Sequence, residues 1–544
     1  MLYNHHMETM VTTHELQQQN EALTARLTEM SVQLKKMQKL IEYYEHQFKL
    51  MKRKQFGASS ERTIIDTVDY RQMGLTGEPT EIVAPMLSLP EREEITYSRK
   101  KRVGKREEDL FNLPVERIDH EIPEAERICA DCGETLRDIG ADVRRELKLI
   151  PAKVIVEEHA AHAYVCKSCQ KANDGTESVK VIKAEAPTAL ISGSLASASL
   201  VAHIAVQKYS NGMPLYRLEK GFIYDGVNIS RQTMSNWVVK CADMYLYGIY
   251  RKLIENLLME STLHADETTV QVLHEPGREA TQKSYEWVYR TGRDAGRQIV
   301  VYDYQETRSQ SHPQAFLKDY KGLLHTDGYQ VYHNLPPEII IIGCWAHVRR
   351  EWEHLWKSVP KEGRKDSDAE RGLMYTNKLF DLERDFKKLT PDERYKVRLE
   401  KSKPIADAFF AWVENLGALP KSPLGKPVGY TLSQRTYLNN VFLDGRTEIS
   451  NNRCERSVKP FVMGRKAWLF SNTPDGAVAS SIMYSIIETA KENALHPFHY
   501  LKYLLEVLPN ATTDNLDDFL PWSQTLPLDC RIPVKAVMKK VKKR

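Results

Sequence analysis

Two short apolar runs in the middle of the chain each end on an aspartate, and they limit what the chain can become. Leu323-Leu324-His325-Thr326-Asp327-Gly328-Tyr329 reads as a buried strand that delivers Asp327 to its open end. Thr262-Leu263-His264-Ala265-Asp266-Glu267-Thr268 ends the same way, and Asn451-Asn452-Arg453-Cys454-Glu455-Arg456 offers a third acid at the start of a helix. Three separated carboxylates suggest a metal site. Their hard oxygens suit Mg²⁺, which binds through one or two carboxylates and keeps positions open for substrate phosphates. Two such ions can clamp the attacking and leaving oxygens of an in-line phosphoryl displacement. An aspartate at a strand end is more often a turn former or a helix cap, so the rest of the chain has to decide.

Strand-like runs at Thr262–Val272, Tyr285–Tyr289, Gln298–Tyr304, Gly322–Thr326 and Ile339–Gly343 are mixed with helical segments, which predicts an α/β layer. The first three follow each other closely enough for a β-meander. With Asp266 on the first strand and Asp327 on the fourth, the order resembles a ribonuclease-H-like sheet, which sets two carboxylates side by side. After Cys344-Trp345-Ala346-His347-Val348-Arg349-Arg350 the chain turns helical and charged through about Leu438. A helical insertion there explains the long gap before Glu455. Cys344 and His347 read as a packed cysteine and a structural or phosphate-contacting histidine rather than a second metal pair.

Upstream, Leu16 to Met51 follows a seven-residue repeat, with Asn20, Leu27, Leu34, Ile41 and Phe48 on one seam position and Leu16, Leu23, Met30, Met37, Tyr44 and Met51 on the other. A seam this narrow predicts a coiled coil and self-association. Residues of about 63–95 lack periodicity and read as linker. Arg99, Lys100, Lys101 and Arg102, followed by Lys105 and Arg106, then make a flexible basic run suited to phosphate contact. Cys129-Ala130-Asp131-Cys132 and Cys166-Lys167-Ser168-Cys169 are two knuckles that together supply four thiolates for a tetrahedral, structural Zn²⁺. The alternation over Glu146–Ala163 between them predicts ribbon strands. From Ala189 the pattern predicts helices at Leu190–Gln207 and Leu215–Tyr224, a break at Asp225-Gly226, and a new helix capped by Ser230. Arg231, Gln232, Thr233 and Asn236 on its first turns fit a helix-turn-helix recognition element.

Composition narrows the class. A chain of 544 residues exceeds one typical domain, and its net charge of +4 leaves any nucleic-acid binding to local patches. Mean hydropathy of −0.50, no apolar run near the roughly 20 residues a membrane span needs, and no signal-peptide pattern predict a cytoplasmic protein that does not bind membranes. Eight cysteines, half of them in the knuckles, favour metal over a disulfide scaffold.

Together these residues resemble the transposases of the insertion sequence 66 family, bacterial enzymes of the DDE type. The resemblance covers nearly the whole chain: the zipper-like start, Gln55-Phe56-Gly57 with Ser59-Ser60-Glu61, the four cysteines, Gly212-Met213-Pro214-Leu215-Tyr216-Arg217 and Ser230-Arg231-Gln232-Thr233. It continues through the segments of Asp266 and Asp327, Gly343-Cys344-Trp345-Ala346-His347, Arg349-Arg350, the segment of Glu455, Gly464-Arg465-Lys466 and Thr489-Ala490-Lys491. It implies Asp266, Asp327 and Glu455 as a catalytic triad holding two Mg²⁺ or Mn²⁺ ions. The implied activity is binding of transposon ends, metal-dependent DNA cleavage and strand transfer. Arg456, Arg465 and Lys466, near the third acid, then become candidates for phosphate contact. The implied partners are double-stranded transposon ends and target DNA, a second copy of the chain through the coiled coil, and accessory proteins of the same element. Two rivals lack part of this pattern: a stand-alone nuclease of the same fold needs no zipper, and a non-catalytic zinc-containing DNA-binding regulator needs no trio of acids.

The expected organisation is a multidomain α/β chain. A leucine-zipper-like coiled coil spans 10–56, a linker with the basic patch 57–118, a zinc-binding ribbon domain 119–180, and a helical helix-turn-helix-like DNA-binding region 187–250. A ribonuclease-H-like core spans 255–500 with its helical insertion at about 355–440, and a C-terminal segment with a basic tail covers 501–544.

Overall fold

The computed structural model describes residues 115, 117, 123, 126, 131, 134, 153–165, 181–511 and 515–532. The expected coiled coil, Arg99–Arg102 and the four knuckle cysteines lie outside the described residues. Of the stretch expected to form ribbon strands, residues 153–162 carry no strand pairing. Side chains from Lys153 to Tyr164 are exposed on both faces, so among the described residues their alternation has no core to turn towards. A short ladder begins only at β1 (Ala163–Val165), which pairs antiparallel with β2 (Val181–Lys183).

A helical layer follows: α1 (Ala198–Tyr209), α2 (Leu215–Tyr224), α3 (Arg231–Cys241) and, after one π-helical turn at Ala242–Leu246, α4 (Tyr247–Leu258). The first helix begins at Ala198 rather than Leu190. Gly193 sits at φ +68, where a turn closes with Ser194 N–H donating to the Ile191 carbonyl, and Ser197 supplies the cap by accepting from Leu200 N–H. Ser230 caps α3 as expected, accepting from Thr233 N–H at 3.1 Å. Met234, Trp237, Val238 and Cys241 form its buried face.

The five expected strands are present as one mixed sheet, in the order β5-β4-β3-β6-β7. These are β3 (Thr262–Gln271), β4 (Lys283–Thr291), β5 (Val300–Gln305), β6 (Gly322–His325) and β7 (Ile339–Ile342). The first three form an antiparallel meander, while β6 and β7 run parallel to β3. Parallel neighbours need crossovers, here carried by α5 (Ser311–Phe316) before β6 and α6 (Gln330–His333) before β7. Strands β6 and β7 are short apolar runs with Leu323, Leu324, Ile339, Ile341 and Ile342 buried, whereas the centre of β3 is polar, with Asp266, Glu267, Thr268 and Thr269 half-buried.

Beyond β7, α7 (Trp345–Ser358) leads into α8 (Asp368–Asp385), α9 (Pro391–Val397), α10 (Lys403–Glu414), α11 (Gly425–Ser433) and α12 (Arg435–Asn439). They enclose a second core around Trp345, Trp352, Phe409, Phe410 and Phe442. Burying each such side chain is worth roughly 1.5–3 kcal/mol. Gly372 lets α8 lie against Trp352, because a Cβ there would fall 2.1 Å from the indole. The charged stretch is only partly solvated: Arg398 is buried and paired with Glu383 at 2.6 Å, and Arg394 is buried and paired with Asp294 at 2.7 Å.

The chain returns through α13 (Asn452–Trp468), α14 (Pro474–Glu492) and α15 (Pro497–Val507). Helix α14 covers the open edge of β5. Ser485 Oγ accepts from Tyr302 N–H at 2.8 Å, and Thr489 Oγ1 accepts from Val300 N–H at 3.0 Å. Two edge donors that would otherwise invite another strand are satisfied. Helix α15 packs on α1, so it closes over the helical layer. Among the described residues no helix is long and apolar enough to cross a membrane.

Candidate active site

Register does most of the positioning. His264 pairs with His325 across the parallel strands β3 and β6. Asp266 and Asp327 each lie two residues further on, so Asp327 leaves the end of β6 level with Asp266; the strand of Asp266 does not end there as expected but continues to Gln271, paired with β4 throughout. Asp327 Oδ1 accepts from Tyr329 N–H at 3.0 Å, an Asx-turn that fixes its carboxylate as the chain leaves the sheet. Gly328 is needed because a Cβ would meet the Tyr430 hydroxyl at 2.7 Å. Asp266 Oδ1 accepts from Glu267 N–H at 2.8 Å.

The third acid comes from α13, whose first turn carries Glu455 where the helix dipole favours negative charge. The residue before that helix aims it. Asn451 is fully buried; its side-chain amide donates to the Ala265 carbonyl at 2.8 Å, and its Oδ1 lies 3.0 Å from His264 Nδ1. Its backbone N–H donates to Cys344 Sγ at 3.2 Å. The helix start is thereby tied to β3 one residue below Asp266. A second tie runs through Glu448, 3.1 Å from His264 Nε2 and 2.6 Å from Arg453 Nε.

Burial, with Glu267, Asp327 and Glu455 also nearby, pushes the Asp266 carboxyl well above the usual carboxylate range. Burial is the first cause of that shift, and the neighbouring carboxylates add to it. The donor set is of hard oxygens, the kind Mg²⁺ and Mn²⁺ take, and a dication among them would relieve both the repulsion and the burial cost. By donor type the residues fit such a metal; among the described residues, the potential ligand atoms that all lie within 4.8 Å of one another are those of Cys344, His347 and Glu455.

Glu267 serves another purpose. It accepts from the Tyr332 hydroxyl at 2.5 Å and pairs with Arg308, whose guanidinium lies 3.7 Å over the Tyr329 ring. Beside Glu455, His347 Nε2 stands 4.0 Å from Oε1 and Arg350 Nη2 stands 3.9 Å from Oε2. Cys344 is packed as expected, and burial pushes its thiol up to about 12.

The DNA-contact candidates separate into groups. Arg465 Nη1 donates to the hydroxyls of Thr268 and Thr269, on β3 just past Asp266. With Lys466, Lys283, Thr281 and Gln271 it lines a groove of about 480 Å³. Arg456 is exposed one residue after Glu455. Arg231, Gln232 and Asn236 are exposed on α3, with Gln232 donating to Asn236 at 3.0 Å, and Thr233 is half-buried beside the Ser230 cap. Helix α3 packs on α1, α2 and α14 rather than on the strands that carry the acids. His264, Asn451, Arg350 and Arg308 were not singled out as site residues from the sequence. The signal available was the repeated His-x-Asp spacing of His264/Asp266 and His325/Asp327, together with the paired asparagines before α13.

Comparison with known proteins gives a consistent picture. The model described as "Transposase IS66 family" matches residues 193–479, more than half of the chain and the span that contains all three acids. The zinc-finger binding domain of transposase IS66 matches 126–170, which includes the four knuckle cysteines, and supports a structural zinc. The IS66 C-terminal element matches 485–522, and the model "Transposase C of IS166 homeodomain" matches 43–118. Among curated relatives, the uncharacterized protein y4qI of Sinorhizobium fredii is 29% identical over 495 residues, covering 87% of each chain. The uncharacterized protein y4jD of the same organism is 28% identical over 423 residues, covering 75% of this chain and 80% of its own.

Proposed function

The chain belongs to the IS66 family of transposases, and from that premise we propose that it cleaves and joins DNA at one site built from Asp266, Asp327 and Glu455. The observation that carries the proposal is the shared register of the first two acids, with Asn451 tying the helix of the third to the same strand. The strand order, a three-stranded meander extended by two parallel strands, supports a ribonuclease-H-like core with helices α8–α12 as an insertion.

Two Mg²⁺ or Mn²⁺ ions, when bound, supply an activated water and stabilise charge on the attacking and leaving oxygens. The three carboxylates would hold the ions. Asp327 is kept in place by its Asx-turn and Glu455 by the Asn451 clasp. Arg465, on α13, reaches β3 just past Asp266 and with Lys466 lines the groove there, where the two would hold the backbone of the bound strand, and Arg456 would contact phosphate beside Glu455. The 3′-hydroxyl freed by the first cut attacks target DNA in the same place, so no covalent enzyme intermediate is required. Region 187–250 with Arg231, Gln232, Thr233 and Asn236 on α3, and the basic run Arg99–Arg102, would anchor transposon ends. The zipper at 10–56 would pair two subunits.

A strand-transfer assay with labelled transposon ends, a target plasmid and Mg²⁺ tests the reading. Joined products are expected. Nicked ends without joining would indicate a nuclease, and end binding without cleavage a regulator.

A further inference from the structure

The surroundings of Glu455 carry a feature that three carboxylates alone do not explain. Helix α7 starts immediately after β7, and its first turns put His347 and Arg350, three residues apart and so on one face, against the first turn of α13. Arg350 Nη2 approaches Oε2 of Glu455 and leaves Oε1 to His347. Glu455 Oε1 is buried and accepts no hydrogen bond from the described residues. The imidazole also has a buried nitrogen, Nδ1, with no partner among them.

A buried carboxylate oxygen left unpaired is costly, and so is a buried ring nitrogen. The gap between His347 Nε2 and Glu455 Oε1, 4.0 Å, is too long for a hydrogen bond. It suits two donors of one cation: with metal–ligand bonds of about 2.0–2.2 Å, such donors stand about 3 to 4.3 Å apart. Cys344 lies within the same cluster, its sulfur no more than 4.8 Å from the other two donors. That sulfur is already the acceptor for Asn451 N–H and is enclosed by the packing of β7 and α13, so it acts as a brace rather than a ligand.

We infer that His347 is a nitrogen ligand of the ion on the Glu455 side of the site, so that one of the two ions has a mixed imidazole and carboxylate set. The inference rests on the reading of the three acids as metal ligands and goes beyond it. Its consequence is selectivity. Imidazole suits first-row transition metals and carboxylate suits Mg²⁺ and Mn²⁺ alike, so this position favours Mn²⁺ over Mg²⁺ while the all-carboxylate position does not.

The test uses the full chain loaded with Mn²⁺ and read by pulsed electron paramagnetic resonance, which detects ¹⁴N bound to the ion whether or not DNA is cut. The wild type should show ¹⁴N coupling. In His347→Ala that coupling should vanish and Mn²⁺ affinity fall about tenfold or more, with a smaller loss for Mg²⁺ and an unchanged circular dichroism spectrum. His264, His325 and His333 remain in that variant, so coupling that survives the substitution would overturn the inference. Asp327→Asn separates the two levels. If it weakens Mn²⁺ binding while no His347-dependent coupling is seen, the acids hold metal and His347 does not. If wild type and Asp327→Asn bind Mn²⁺ equally poorly, the metal reading and the inference fall together. A His347→Ala protein with unaltered metal binding but weaker DNA binding would assign the imidazole to phosphate instead.

Discussion

His264 and His325 stack face to face, 4.9 Å between ring centroids and within 1° of parallel, on strands β3 and β6. Both are fully buried. Each is two residues from an aspartate of the proposed site, so the stacked pair marks the register that brings Asp266 and Asp327 together. A slip of one residue would turn one acid to the opposite face of the sheet. Burial, with His264 beside it, holds the His325 imidazole down at about 3, so the lower ring stays neutral under all ordinary conditions.

The clasp by Asn451 should be strong. Asn451→Ala removes two buried hydrogen bonds and strands the Ala265 carbonyl and His264 Nδ1. The expected cost is about 2–5 kcal/mol in urea unfolding, with DNA cleavage reduced further than stability explains because Glu455 is no longer aimed. Wild-type stability together with wild-type cleavage would show that the clasp does not position the helix.

Glu286 gives a pH-dependent prediction away from the site. It is buried under α14, accepts from Ser481 Oγ at 2.6 Å and leaves Oε2 without a partner among the described residues. Burial pushes its carboxyl well above the usual range. The folded protein therefore keeps a proton that the unfolded chain releases above about pH 4.3. Stability from this group is present below that pH and is lost as pH rises towards the folded value, by up to about 1.4 kcal/mol per unit. Glu286→Gln should gain on the wild type between pH 5 and pH 8 in denaturant midpoints. A difference that stays flat with pH would mean Glu286 ionises freely in the fold.

Much of this architecture is legible from residue order. The five strands stand out as short strand-like runs between helical segments, and the two aspartates because each closes an apolar run. The start of α1 is not legible: Leu190 and Ile191 have helical spacing, but Gly193 turns the chain before the cap at Ser197. The arginines of the insertion mislead in the other direction. Arg394 and Arg398 sit in a stretch that reads only as helical and charged, yet they are buried with partners at Asp294 and Glu383. The approach of His347 to Glu455 depends on two helices meeting across more than a hundred residues, and local pattern carries no trace of it.

Four thiolates around zinc carry folding energy. Cys132→Ser, or chelation of the wild type, should unfold the region of about 120–180 and weaken DNA binding while the acids keep their geometry. Atomic absorption is expected to find zinc in the purified protein. Its absence would remove the metal from that domain.

The heptad seam is weakened by Asn20, three methionines and Tyr44, so the proposed dimer should depend on concentration and be favoured by bound ends, which raise the local concentration of the two zippers. Deleting residues up to Met51 should leave a folded subunit by light scattering and circular dichroism but lose paired-end complexes in gel shifts. A truncated protein that pairs ends as well as the full chain would rule out the zipper as the pairing element.

The central claim is that cutting and joining share one carboxylate site, and Asp327→Asn in the strand-transfer assay tests it most directly. The substitution keeps the side chain's size and an acceptor oxygen for the Tyr329 turn, while removing one charge from the metal position. Cleavage and joining should both fall below detection, with end binding within about twofold of wild type. Normal strand transfer by Asp327→Asn would contradict the account.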